Sequence, residues 1–158
     1  MEQPPASISL DDVAVSLRIR HPSIDPNEIT LALALAPEHC FRAGERRRTD
    51  EGEPLEGRYR ESYWTGRFRE ARARLLGVAG VEAVLTQAVQ QLQRSQGFLT
   101  RLREEGASIE LLVETTVGAA EFAFSLSPRL LGMLTRCAVS LLLEVRSGSQ
   151  LAARPLAS

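Results

Sequence analysis

Apolar side chains fall at every second position between Asp12 and Arg20. Val13, Val15, Leu17 and Ile19 alternate with Ala14, Ser16, Arg18 and Arg20. Successive strand residues point to opposite faces, so this period of two predicts a strand with one buried and one wet side. The segment Ile24-Asp25-Pro26-Asn27-Glu28-Ile29 then carries the chemistry of a helix start. Asp25 stands at the N-cap, Pro26 at the first helical position and Glu28 at the capping-box position, with Ile24 and Ile29 as a hydrophobic staple. The helix is expected to run to about Ala36 and to stop at Pro37.

Phe41–Arg48 and Arg58–Thr65 read as a β-hairpin around a polar loop that holds Asp50, Gly52, Pro54 and Gly57. From Val81 to Glu105, the residues Val81, Leu85, Ala88, Leu92, Leu99 and Leu102 form one apolar stripe. That spacing predicts a single amphipathic helix, with Gly106 as its C′ residue. Ser108–Thr116 and Glu121–Leu126 alternate again, and Val117-Gly118-Ala119-Ala120 is short enough to join them as a hairpin. Ser127 and Pro128 open a helix to about Cys137, and Val139–Arg146 forms a last strand with Val139, Leu141, Leu143 and Val145 inward.

The expected order is β-α-β-β-α-β-β-α-β. This is an α+β single domain over residues 12–146, flanked by tails at 1–11 and 147–158. Strands with one polar face, joined by hairpins, imply a mostly antiparallel sheet of about six strands with three helices packed mainly on one face.

Composition narrows the function classes. The chain has 158 residues, 44% of them hydrophobic, with 20 acidic and 19 basic side chains and a net charge of −1. That balance disfavours a protein that wraps duplex DNA or lies on anionic lipid. Every basic side chain is arginine, which brings planar, bidentate contacts to any partner. No signal-peptide pattern opens the chain, and the apolar run Leu130–Leu143 is interrupted by Arg136 and too short to span a bilayer. Cys40 and Cys137 have neither metal nor redox spacing, so a reduced, cytoplasmic protein is expected.

Catalytic parts are scarce. His39-Cys40 is the most chemical pair, yet neighbours in extended chain point to opposite sides and would not share a substrate. His21, before Pro22, suits a local hydrogen bond at the strand–helix corner. No glycine loop stands between a strand and a helix to cradle a phosphate. No catalytic residue, metal ligand set or cofactor is therefore expected.

The richest polar stretch is 42–74, with ten arginines and seven acids interleaved with Tyr59, Tyr63 and Trp64. Arginine and aromatic residues dominate binding hot spots. The interspersed acids would repel phosphates, which argues against nucleic acid. The plainer alternative is that these arginines are solvated while Tyr63 or Trp64 packs in the core.

Arg18-Ile19-Arg20-His21-Pro22, Ser23 to Thr30, Leu33, Leu35-Ala36-Pro37, Gly44-Glu45 and Tyr63-Trp64 follow one another in order. In this the chain resembles a family of short bacterial proteins catalogued only as a domain of unknown function, over about residues 12–146. The resemblance implies an α+β single domain in the cytosol and carries no activity, cofactor or site residues. Some small families of this kind sit in immunity or defence settings.

The functional expectation is a non-enzymatic interaction module that binds another protein, or a second copy of itself. Arg46, Arg58, Arg60, Tyr63 and Trp64 are its candidate contact residues. The alternative is a small-molecule-binding domain or minor enzyme, with a pocket between sheet and helices near His21, His39 and Trp64.

Overall fold

Residues 10–68, 78–117 and 125–147 are described by the computed structural model of the chain. β1 (Leu10–His21) lies in the middle of a five-stranded sheet. On one side of it runs β5 (Ser62–Arg67), and beyond that β2 (Pro37–Phe41). On the other side come β6 (Ser108–Val117) and then β7 (Ser140–Ser147). All neighbours are antiparallel except β6 and β7, which run parallel. A parallel pair needs a crossover, and α4 (Pro128–Arg136) lies in that connection.

Between β2 and β5 the chain leaves the sheet. β3 (Arg46–Arg48) and β4 (Pro54–Arg58) pair as a separate two-stranded ribbon. The expected hairpin is real, since Phe41 pairs with Tyr63 and Arg46 with Arg58. It is broken into an inner half belonging to the main sheet and an outer arm that is exposed along both strands.

The alternation in β1 sorts its faces as expected. Val13, Val15, Leu17 and Ile19 are buried and join one core cluster with helix residues Ile29, Leu85, Leu99 and Leu130. Ile109, Leu111 and Val113 of β6 extend the same wall. The helices thus cover one side of the sheet. The other side carries cross-strand ion pairs, Arg18 to Glu110 at 3.6 Å and Arg146 to Glu114 at 3.3 Å.

Local chemistry explains the helix boundaries. α1 (Pro26–Leu33) starts with the Asp25 carboxylate accepting the Asn27 N–H at 2.9 Å, and Ile24 and Ile29 are both buried. Glu28 does not close the capping box and instead lies 3.7 Å from Arg101. The helix ends three residues before the expected Ala36. Ala34 turns left-handed at φ 49°, and Pro37 opens β2 rather than merely stopping a helix.

Among the described residues four helices stand where three were expected, because the long rod breaks. α2 (Val78–Gln93) and α3 (Gln96–Glu104) are separated at Arg94-Ser95. The chain tightens there: Ser95 N–H donates to the Leu92 carbonyl, and the Ser95 hydroxyl donates to the Ala32 carbonyl of α1 at 2.8 Å. Serine is a weaker helix former than alanine or leucine, and here its hydroxyl is committed to a neighbouring helix. Gly106 does end α3, at φ 94°, in a Schellman closure in which Ala107 N–H donates to Leu102.

Val145 is the one inward assignment on β7 that fails. It is 43% exposed, as expected for a short strand at the sheet's edge. The strand expected at Glu121–Leu126 and its hairpin lie largely outside the described residues, as do the tails beyond Leu10 and Ser147. No helix among the described residues is long and apolar enough to cross a membrane.

Candidate functional site

The face of the sheet away from the helices presents side chains in register. His39 on β2 stands beside Thr65, and Phe41 beside Tyr63. The chain then climbs into the arm and returns through Tyr59, which folds its ring back onto Phe41. The two rings stack with centroids 3.6 Å apart and planes 12° from parallel. Phe41 also stacks on Tyr63 at 5.2 Å, and His39 lies 5.8 Å from Phe41 and 5.9 Å from Tyr63. The Arg20 guanidinium sits 6.0 Å from the Tyr63 ring centroid, within cation–π range.

The cluster is anchored rather than loose. The Tyr59 hydroxyl lies 3.3 Å from the Arg48 N–H that it accepts, and Gly44 N–H donates to the Tyr59 carbonyl at 2.8 Å. Ala43 N–H donates to the Ser62 hydroxyl at 3.0 Å. Gly44 sits at φ 84°, a conformation L side chains rarely adopt, which allows the chain to step from the sheet into the arm.

Two hollows flank the Phe41–Tyr59 stack. One, of about 480 Å³, is lined by His39, Cys40, Glu45, Arg46 and Arg48. The other, of about 640 Å³, is lined by Pro22, Arg47, Arg58, Arg60 and Glu61. Partial desolvation, then the carboxylates of Glu45 and Asp25, raise the Cys40 thiol above its ordinary pKa. A thiol that stays protonated is a poor nucleophile. Burial likewise raises the Cys137 thiol, which is fully enclosed in the core.

The candidate contact residues separate into two groups. Arg46, Arg58 and Arg60 are exposed on the arm, and Tyr63 lies half-buried on the same side of the molecule. Trp64 does not join them. It is 0% exposed in the core, and its indole N–H donates to the Thr30 hydroxyl at 3.0 Å. Tyr63 and Trp64 are consecutive strand residues, so one faces out and the other faces the helices.

The alternative pocket loses two of its three residues. His21 is 5% exposed, and its Nδ1 accepts the N–H groups of Ser23 and Ile24 at 3.0 and 2.9 Å. Its Nε2 then carries the proton and donates to Glu105 at 3.0 Å. His21 is therefore a clasp between β1, α1 and the end of α3. His39 remains on the aromatic face, apart from both His21 and Trp64.

Sequence reasoning missed Phe41, Arg47 and Arg20 and gave Tyr59 no role. The available signal was register: a hairpin that pairs Phe41 with Tyr63 puts both rings on one face. The arginines at 69, 72 and 74 lie outside the described residues. Among those described, no group of three or more His, Cys, Asp or Glu side chains could hold a metal ion.

Comparison with known proteins places most of this structure in one family. A model described as a domain of unknown function, DUF4279, matches residues 11–147. The chain belongs to the DUF4279 family. The match begins in β1 and ends with β7, so the sheet, its helices and the arm all fall inside the DUF4279 domain. No curated protein and no solved structure matches the chain.

Proposed function

We propose that this DUF4279 protein is a non-enzymatic interaction module of the bacterial cytosol, binding another protein through the aromatic face and the arm. The observation that carries this reading is the Phe41–Tyr59 stack, continued by Tyr63 and His39 and bordered by exposed arginines. Aromatic and arginine side chains on a pre-ordered surface lose little entropy on binding, which is why they dominate hot spots. A role in immunity against a toxin would suit such a surface, because neutralisation needs tight contact and no chemistry.

The test pairs a photo-crosslinking residue at Tyr63 with a control at exposed Leu131 on α4. A crosslinked partner is expected at Tyr63 alone, and it should be lost when Arg46 and Arg60 are changed to alanine. Equal crosslinking at both positions, or capture unaffected by the alanines, would overturn the assignment. Self-association is read in the same experiment as a product of twice the chain's mass.

A second reading has one supporting observation. The hollow beside His39 has a volume in the range of small-molecule sites, with Phe41 and Tyr59 as an apolar wall. A metabolite thermal-shift screen separates the readings, because a ligand of this hollow would lose its effect in His39→Ala and Tyr59→Ala.

A further inference from the structure

The two hollows share the Phe41–Tyr59 wall but differ in charge. Beside His39, Arg46 and Arg48 face Glu45, and Arg48 donates to the Gly52 carbonyl at 3.0 Å. The larger hollow gathers Arg47, Arg58 and Arg60 with a single carboxylate, Glu61. That carboxylate lies 4.0 Å from Arg20, so a fourth guanidinium already shares it.

The three arginines have donors to spare. Arg58 gives one N–H to the Gly44 carbonyl at 2.6 Å, which orients its planar fork and leaves the remaining donors for another acceptor. Arg47 and Arg60 form no hydrogen bond or ion pair with any other described side chain. Guanidinium groups gathered round one hollow repel each other, and an entering anion relieves that repulsion. Carboxylates match the fork in bidentate geometry. The aromatic wall, continued by Pro22, offers an apolar platform next to the charge.

We propose that this hollow recognises a short acidic segment of a partner protein, and the proposal rests on the arm being a protein-binding surface. Two or more carboxylates meet Arg47, Arg58 and Arg60 while a neighbouring apolar side chain packs on Phe41 and Tyr59. The acidic arm tip, Asp50, Glu51 and Glu53, lies outside this hollow and disfavours a continuous phosphate backbone running along the arm, whereas a short segment confined to the hollow avoids it.

The test titrates the full chain with the peptide acetyl-Glu-Asp-Phe-Glu-Asp-amide while NMR follows the arginine Nε–H signals. The same peptide with Gln and Asn for its acids, and inorganic pyrophosphate, serve as comparisons. Saturating shifts are expected at Arg47, Arg58 and Arg60, with affinity about tenfold weaker in each of R47A and R60A, as for loss of a charge-assisted hydrogen bond. Circular dichroism of both variants should match wild type. The proposal fails if the amide peptide binds equally well, or if Arg129 and Arg136 of α4 shift as much. It also fails if pyrophosphate binds more tightly than the acidic peptide. Should the Arg46/Arg60 variant lose the Tyr63 crosslink while the acidic peptide stays silent, the interaction reading stands and the acidic-segment proposal falls.

Discussion

His21 is nearly enclosed, and both of its ring nitrogens are occupied. Replacing it with Phe keeps most of the ring volume but leaves the Ile24 N–H without its acceptor. Unfolding in urea is expected to show a loss of about 1–3 kcal/mol, the cost of an unsatisfied buried donor. Thr30→Val poses the same problem for the Trp64 indole and should cost a similar amount. Gly66→Ala is expected to destabilise as well, because a Cβ there would meet the Trp64 ring and stand 2.9 Å from the Ala36 carbonyl oxygen. The Cys40 thiol gives a pH-dependent readout. A raised pKa means less thiolate at any given pH, so iodoacetamide should label Cys40 more slowly than free cysteine at pH 8. The gap should close only once the pH rises past the raised pKa of Cys40 itself. Glu45→Gln removes one cause of the shift and should speed labelling at pH 8. At this scale the residue types were readable but not always their side of the sheet. Tyr63 and Trp64 looked like one feature in composition, and only strand alternation separates them.

Helix ends show which local signals suffice. Asp25-Pro26 and Ser127-Pro128 both cap as the residues dictate, with Ser127 accepting the Leu130 N–H at 3.3 Å. Gly106 and Ala138 occupy the same place in two Schellman closures, yet Ala138 must hold φ 55° with a Cβ. Left-handed geometry costs an L residue about 1–2 kcal/mol, partly offset by the greater freedom of an unfolded glycine. Ala138→Gly is therefore expected to raise stability by about 0.5–1 kcal/mol, and Gly106→Ala to lower it, both measurable by thermal or urea unfolding. The break between α2 and α3 was not legible, because the apolar stripe continues across it. What interrupts the rod is a long-range bond from Ser95 to Ala32, invisible to any window of local sequence.

Across the whole molecule, periodicity revealed an α+β fold with helices on one face but not the strand order. Placing β1 at the centre and β7 parallel to β6 depends on which edges meet, and alternation alone does not encode that. The split hairpin is the other global feature. None of the arm residues Arg46 to Arg58 belongs to the core cluster, and Tyr59 N–H already donates to the Glu45 carbonyl at 2.9 Å. That bond suits a two-residue turn, so replacing 46–58 with Asn-Gly should leave the melting temperature close to wild type. The same change should abolish the Tyr63 crosslink to a partner. Melting far below wild type would show that the arm supports the fold.

A ribbon that contributes no buried side chain carries little of the selective pressure that keeps a fold intact. Substitutions there can accumulate one at a time without endangering the sheet. A lineage could thus remodel this surface by rewriting about a dozen positions while inheriting the rest unaltered.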